Sequence, residues 1–171
     1  DGRGLILPTG GLSSFGKRSV VGKRKWDRKA DVVVTPDVTG DGKADVVTTN
    51  KAGIGTVRPG RGTGRFAKAV RRVKAMRAHD LLASVGDVNG DGRNDLVARR
   101  KGRLVLFRGT KRYGFSRTVL SKGYGSARQL IGPGDINGDG HPDLLIRMRK
   151  RLRVQYGLGD GTFTPVQPVA G

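Results

Sequence analysis

The chain has 171 residues and no cysteine, so it is long enough for one domain with a core, and both a disulfide scaffold and a thiolate metal site are excluded. Its 29 glycines and its aromatic content of 5% favour short strands joined by tight turns over helices. Lysine and arginine number 34 against 14 acidic residues, all of them aspartates, and the formal net charge of +20 predicts a surface that attracts polyanions.

Residues 1–25 contain two apolar segments, 4–8 and 15–21, which predict two strands. These segments match the third and fourth strands of the units that follow along the chain. We therefore expect residues 1–25 to form half a unit that lacks its own first two strands. Because the first residue is Asp1 and not methionine, we also expect a processed secreted chain or an excised fragment.

Three complete units follow, at 26–75, 76–123 and 124–171. Each begins with a short apolar strand, at 32–35, 81–85 and 129–131, and continues through a nine-residue loop to three further strand segments. One bulky residue lies 11 positions before each loop, and its repetition in register predicts core packing: Trp26, Met76 and Tyr124. A phenylalanine marks the predicted start of the last strand in each unit: Phe15, Phe66, Phe115 and Phe163. We expect four antiparallel strands in each unit, with the loop between strands one and two.

The three loops, which we call the first (37–45), second (87–95) and third loop (135–143), share the pattern D-h-[NT]-G-D-G-x-x-D, where h is aliphatic. Side-chain oxygens at positions one, three, five and nine can converge on one point, together with the carbonyl oxygen at position seven. Oxygen-only ligands predict a hard cation, and calcium above all. The predicted ligands are Asp37, Thr39, Asp41, Lys43 (carbonyl) and Asp45; Asp87, Asn89, Asp91, Arg93 (carbonyl) and Asp95; and Asp135, Asn137, Asp139, His141 (carbonyl) and Asp143.

The loops have two other interpretations, an EF-hand and a metal-free turn. An EF-hand needs a carboxylate at position 12 and flanking helices. Position 12 is Thr48, Ala98 and Ile146 here, the chain has no glutamate, and the flanks are typical of strands. The EF-hand is therefore rejected, whereas a metal-free turn stays open as the alternative.

Four-stranded units of about 50 residues are typical of β-propeller blades. The loop, together with the segment 157–163, resembles the FG-GAP/VCBS repeats of integrin α-subunit-like propellers, which also occur in secreted bacterial proteins and some fungal lectins. The resemblance implies up to three structural calcium ions and a binding or scaffolding role. Thr39 stands where the family has Asp or Asn, so the first loop is the weakest of the three predicted sites. The predicted fold is an all-β propeller with three full blades and a half blade, which is half of a seven-bladed propeller.

From these features we expect a calcium-stabilised, secreted or cell-surface binding module that recognises carbohydrate or another anionic polymer. The predicted polyanion-binding residues are Lys23, Arg24, Lys25, Arg71, Arg72, Arg99, Arg100 and Lys101. The alternatives are a purely structural propeller fragment or a designed repeat assembly, and a non-specific nucleic-acid binder. We do not expect an enzyme, unless the chain is part of a larger secreted one, because His79 and His141 are the only histidines. The expected partners are a second copy that completes the propeller, or the rest of a longer chain, and no apolar run is long enough to span a membrane.

Overall fold

The structure, a computed structural model, describes Gly4–Ile6, Ser19–Val21, 31–50 and 52–169. These residues form strands, loops and one short 3₁₀ turn, Lys74–Met76. The first strand pair is β1 (Gly4–Ile6) with β2 (Ser19–Val21), antiparallel. Both strands fall within the segments predicted as strands of the half blade. Trp26, Phe15 and the predicted basic cluster Lys23–Arg24–Lys25 lie outside the described residues.

Three four-stranded antiparallel sheets follow, and in each the strands lie side by side in chain order. The first sheet contains β3 (Val32–Thr35), β4 (Asp45–Thr49), β5 (Gly55–Arg58) and β6 (Arg71–Val73). The second contains β7 (Leu81–Gly86), β8 (Asp95–Arg100), β9 (Arg103–Thr110) and β10 (Gly114–Lys122). The third contains β11 (Gln129–Gly134), β12 (Asp143–Arg147), β13 (Leu152–Gln155) and β14 (Gln167–Pro168). The predicted all-β class and the four-stranded units are confirmed, with each loop joining the first strand to the second.

The fourth strand starts where a phenylalanine predicts it only in the second sheet, at Phe115. In the other two sheets Phe66 and Phe163 make isolated bridges, to Gly60 and Gly157, and the regular strand begins later. Proline explains the interruption, because it has no N–H to donate to the ladder. Pro59 ends the third strand of the first sheet, and Pro165 separates Phe163 from β14 in the third.

The apolar core lies between the sheets. Leu96 and Ala98 of β8 pack in a cluster shared with the first sheet, whereas Val97 packs in a second cluster shared with the third sheet. The second sheet is thus buried on both faces, which explains its nearly continuous apolar runs. Met76 and Tyr124, predicted as core from their register, are both buried, at 0% and 1% exposed.

The aliphatic residue at position two of each loop also contributes to this packing. Val38 of the first loop is buried in the cluster shared with the second sheet, and Val88 of the second loop in the cluster shared with the third. The first and second loops therefore each pack against the next sheet along the chain. Ile136, the equivalent residue of the third loop, is 50% exposed.

None of the helices in the described part of the chain is long and apolar enough to cross a membrane.

Candidate metal centre

The aspartate at position nine anchors each loop to the rest of its sheet. Asp45, Asp95 and Asp143 are all 0% exposed. In each, Oδ2 accepts a hydrogen bond from the N–H of position two, at 2.9, 3.1 and 2.8 Å. Oδ1 accepts a hydrogen bond from a glycine N–H at the end of the third strand or just after it, at 2.9, 2.8 and 2.9 Å. One carboxylate thus joins the loop to the third strand.

Sequence reasoning missed this structural role, although the sequence carries a signal for it. The three glycines that donate to position nine are Gly60, Gly109 and Gly157. A Cβ at these positions would lie 2.0, 2.7 and 2.2 Å from the carbonyl oxygen of loop position eight. Only glycine allows the strand to approach the loop this closely. The sequence signal for this contact is therefore a glycine at the same place in every unit.

The aspartate at position one shapes the loop itself. In the first loop, Asp37 Oδ1 accepts from the N–H of Gly40, and Asp37 Oδ2 from the N–H of Gly42, both at 2.5 Å. The same carboxylate contact to the glycine at position six occurs in the other loops, at 2.7 and 2.8 Å. Gly40 and Gly42 have φ of +81° and +77°, a conformation that glycine adopts without steric cost.

The aspartate at position five faces the same centre, and its Oδ1 accepts the N–H of position seven in every loop, at 3.0, 3.0 and 2.9 Å. In the first loop, one oxygen each of Asp37, Asp41 and Asp45 lies within 4.8 Å of the others. Three carboxylates at this separation repel one another unless a cation lies between them. Within the described residues this loop alone gathers three such groups, although Thr39 makes it the weakest site by sequence.

In the second and third loops, the asparagine at position three points its amide nitrogen at the carboxylate of position five. Asn89 Nδ2 donates to Asp91 Oδ2 at 3.2 Å, and Asn137 Nδ2 to Asp139 Oδ2 at 2.8 Å. Asn89 Oδ1 is buried without a hydrogen-bond partner. Rotating this amide by 180° exchanges its oxygen and nitrogen, which differ little in shape. It would bring Oδ1 beside Asp91, and a cation between the two oxygens would stabilise that arrangement.

The residues present therefore fit a calcium ion. The donors are oxygens of aspartate, asparagine and threonine, which is the ligand type that calcium prefers. The three converging carboxylates of the first loop are groups that a cation would stabilise. Positions one, three and five would hold the ion, while position nine also has the structural role described above.

The pKa values of the loop aspartates reflect these contacts. Burial raises the pKa of Asp37, but the N–H donors of the loop, led by Gly42, outweigh it, and the net pKa lies below the usual value. The Gly140 N–H and its neighbours lower the pKa of Asp135 in the same way. Burial raises the pKa of Asp95 to about 6, and the nearby charges of Asp87 and Asp91 add to the increase. A cation in the loop would oppose that increase.

The predicted polyanion-binding residues that the structure describes differ in exposure and in contacts. Arg71 and Arg72 are exposed on β6, and Lys101 is exposed at the turn after β8. Arg99 is committed elsewhere, because its Nε and Nη2 pair with both oxygens of Asp80 at 2.8 Å. Its Nη1 donates to carbonyl oxygens of the next unit, including that of Ala127. The Nε of Arg100 is buried without a partner.

A histidine–aspartate contact outside the three loops, between His79 and Asp31, predicts a pH effect on stability. Both ring nitrogens of His79 face acceptors, with Nδ1 2.5 Å from Met76 O and Nε2 2.9 Å from Asp31 Oδ2. The imidazolium form donates to both. Burial lowers the pKa of His79, but these two acceptors and the charge of Asp80 outweigh it, so the pKa lies above the usual 6.5.

A group whose pKa is raised by folding stabilises the protein below its unfolded pKa, and this contribution is lost as the pH rises through the folded pKa. We therefore expect His79→Gln to lower the melting temperature by about 2–4 °C more at pH 5.5 than at pH 8.5, since the half-exposed Asp31 limits the contribution to about 1 kcal/mol. The measurement is thermal unfolding at both pH values. His141→Gln controls for loss of an exposed imidazole, and equal effects of His79→Gln at the two pH values would contradict the assignment.

Comparison with known proteins agrees with this geometry. A family model described as an FG-GAP-like repeat matches residues 37–98, 87–146 and 135–171. No curated protein matches the chain. Among solved structures, an Agrocybe aegerita lectin, described as specifically recognising non-reducing terminal N-acetylglucosamine, superposes with a TM-score of 0.67 and 24% sequence identity. The match covers 98% of this chain but 46% of the lectin, so the chain spans about half the length of that protein. With the family model matching three consecutive units, the chain belongs to the FG-GAP-like repeat family, and its four-stranded sheets are blades of a β-propeller.

Proposed function

We propose that the chain is a calcium-stabilised binding module of an extracellular or cell-surface protein, and that it recognises carbohydrate or another anionic polymer. The observation that carries the proposal is the distribution of charge. Nine of the 14 aspartates lie in the three loops, where their carboxylates face the loop backbone. The 34 lysines and arginines are thus opposed by few acidic groups elsewhere. Calcium ions in the loops would make the balance more positive still.

A cleft between the second and third blades supports the carbohydrate part of the proposal. It has a volume of about 370 Å³, and its lining includes Ser121, Lys122, Tyr124, Gln155 and Phe163. The Tyr124 hydroxyl donates to Gln155 Oε1 and receives the hydroxyl hydrogen of Ser121. Tyr124 and Gln155 are buried and satisfy each other, so the groups of the lining that are open to a ligand are the exposed ammonium of Lys122 and the partly exposed ring of Phe163. A cation beside an aromatic ring is a typical arrangement of small-ligand sites. The lectin with the same fold is described as binding a sugar, which favours the same class of ligand here.

Further blades are part of the same proposal. The chain would complete its propeller either with a second copy of itself or with the rest of a longer chain, and the lectin of similar fold is about twice as long. We propose no catalytic role, because the loop aspartates are committed to backbone donors and both ring nitrogens of His79 already have acceptors.

The proposal predicts binding that depends strongly on salt. In calcium-containing buffer, we expect heparin and teichoic acid to bind at about 50 mM salt and to lose affinity steeply toward 200 mM, because bound counterions are released. The double variant Arg71→Ala and Arg72→Ala should reduce the slope of log affinity against log salt concentration. The expected reduction is about one unit for each anionic group of the ligand that these two arginines neutralise. The measurement is a salt titration by isothermal calorimetry, next to a glycan array.

Three outcomes separate the alternatives. DNA that binds as tightly as the glycans would favour a non-specific nucleic-acid binder. Binding of neutral glycans alone would assign the positive charge to solubility. No binding at low salt to any of these ligands would contradict the proposal and favour a purely structural propeller.

A further inference from the structure

One residue of the second blade has a backbone conformation that its counterparts in the other blades achieve with glycine. Four residues after the glycine that faces each loop, the first and third blades have Gly64 and Gly161, with φ of +72° and +86°. The second blade has Tyr113 there, with φ of +57°. A side chain at positive φ costs about 1–2 kcal/mol relative to the usual backbone conformations. Strain of this kind is concentrated at functional sites, so the position calls for a functional test.

This tyrosine also changes the junction between blades. At the junction of the second and third blades, the Gly161 N–H donates to Val88 O at 2.8 Å, and a Cβ on Gly161 would meet Asn89 and Leu106 at 3.4 and 3.5 Å. The turn of the third blade therefore packs directly against the second loop, because residue 161 is a glycine. At the junction of the first and second blades, the Tyr113 N–H donates within its own turn, to Thr110 O at 3.2 Å. A cleft of about 450 Å³ remains open between the first loop and the turn.

We call this space the junction cleft, and we call the junction of the second and third blades the closed junction. The two differ in the side chains that line them. Tyr113 lines it with a side chain that is 41% exposed, together with the cationic side chains of Arg93 and Lys111. Lys111 is exposed. The side chain of Arg93 is 31% exposed; its Nη1 lies 3.4 Å from Asp91 Oδ2 and donates to Asp91 O at 3.2 Å. Asp37 also borders the cleft, but its carboxylate oxygens accept from Gly40 and Gly42 of its own loop.

The closed junction lacks these groups, since the equivalents of Arg93, Lys111 and Tyr113 are His141, Gly159 and Gly161. The His141 ring lies against Gly159, where an added Cβ would be 2.5 Å from it. The third-blade turn thus provides neither an aromatic face nor a lysine. Of the two junctions between the three full blades, the first alone has the aromatic ring with two cations.

We propose that the junction cleft is a separate ligand site for an anionic saccharide, a sugar unit that carries a carboxylate or a sulfate group. The sugar ring lies against the exposed face of Tyr113, and its anionic group lies between Lys111 and Arg93. A flat aromatic face with a few polar groups is typical of small-ligand sites, and charge-assisted bonds from lysine and arginine select the anion. The site rests on the proposed function, to which it adds the ligand's charge and the residues that bind it.

The test uses the full chain in calcium-containing buffer and three probes: a tetragalacturonate, a heparin-derived tetrasaccharide and the neutral chitotetraose. We expect Tyr113→Gly to weaken binding of the acidic probes at least tenfold without lowering the melting temperature, because the sister blades already have glycine at this position. Tyr113→Phe keeps the ring and should retain affinity within about threefold. Lys111→Gln should weaken the acidic probes and leave chitotetraose unaffected. The two acidic probes show whether carboxylate or sulfate is preferred.

The outcomes separate this site from the wider function. If the wild-type chain binds the acidic probes but Tyr113→Gly binds them equally well, the junction cleft is not the site and the module binds them elsewhere. If the wild-type chain binds neither acidic probe, the junction cleft is refuted whatever chitotetraose does. If it binds none of the three probes, heparin or teichoic acid, the proposed function fails as well. A Tyr113→Gly variant with lost affinity and an unfolded fraction in circular dichroism is repeated with Lys111→Gln, and unchanged affinity there also overturns the proposal.

Discussion

Excess EGTA is expected to lower the melting temperature of the chain by roughly 8–16 °C. Extracellular calcium modules bind their ion at about 0.1–1 mM. At about 1 mM calcium and a dissociation constant near 0.1 mM, each site adds about 1.4 kcal/mol to the free energy of unfolding. Three sites add about 4 kcal/mol, and each kcal/mol shifts the melting temperature of a domain of this size by about 2–4 °C. Thermal unfolding with calcium, with EGTA and after re-addition of calcium measures the effect.

A variant in one loop assigns this effect to a site. Asp91→Ala should remove about one third of the calcium-dependent stability, because Asp91 is exposed and its main contacts lie within the second loop. Asp160→Ala is the matched control, since Asp160 is also exposed and accepts a backbone N–H, that of Thr162, outside the loops. A melting temperature that EGTA leaves unchanged would refute the calcium sites and leave the loops as metal-free turns.

The second large effect concerns the buried aspartate at position nine. Asp143→Ala should lower the free energy of unfolding by about 3–5 kcal/mol, even in EGTA. The substitution leaves the N–H groups of Ile136 and Gly157 without their acceptor, and hydrogen bonds to a charged group contribute about 1.5–3 kcal/mol each. Urea unfolding of the calcium-free protein measures this loss.

Asp139→Ala is the control for Asp143→Ala, because Asp139 belongs to the same loop but is exposed. In EGTA it should cost less than about 1 kcal/mol, and it should reduce only the stability that calcium adds. Equal losses for the two variants in EGTA would show that position nine has no role as an anchor between the loop and the third strand.

The repeat in the sequence was enough to predict the blades and the loops. The apolar run 104–107 coincides with a strand, β9, because neighbouring blades cover both of its faces. Where the prediction of strand starts was wrong, at Phe66 and Phe163, the cause was local, since Pro59 and Pro165 remove donors from the ladder. The pattern shared by the three units does not include these prolines, so it could not predict where the last strands begin.

Contacts between residues far apart in the chain could not be predicted from the sequence. The basic run around Arg99 predicts polyanion binding, but the partners of this side chain are Asp80 and carbonyl oxygens 25–28 residues away. The buried role of position nine depends on a glycine 14 or 15 residues later. Both cases depend on which backbone groups the fold places nearby. Charge patterns along a sequence do not contain that information.

The exposed Ile136 gives the row of blades a polarity. Val38 and Val88 each pack in the core shared with the next blade, whereas Ile136, of the last described blade, is 50% exposed. A further blade that covered Ile136 in the same way would present an unlike surface to it, so such a contact would be heterologous. Such contacts close into a ring when the rotation per blade divides a full turn, and otherwise they continue into a filament.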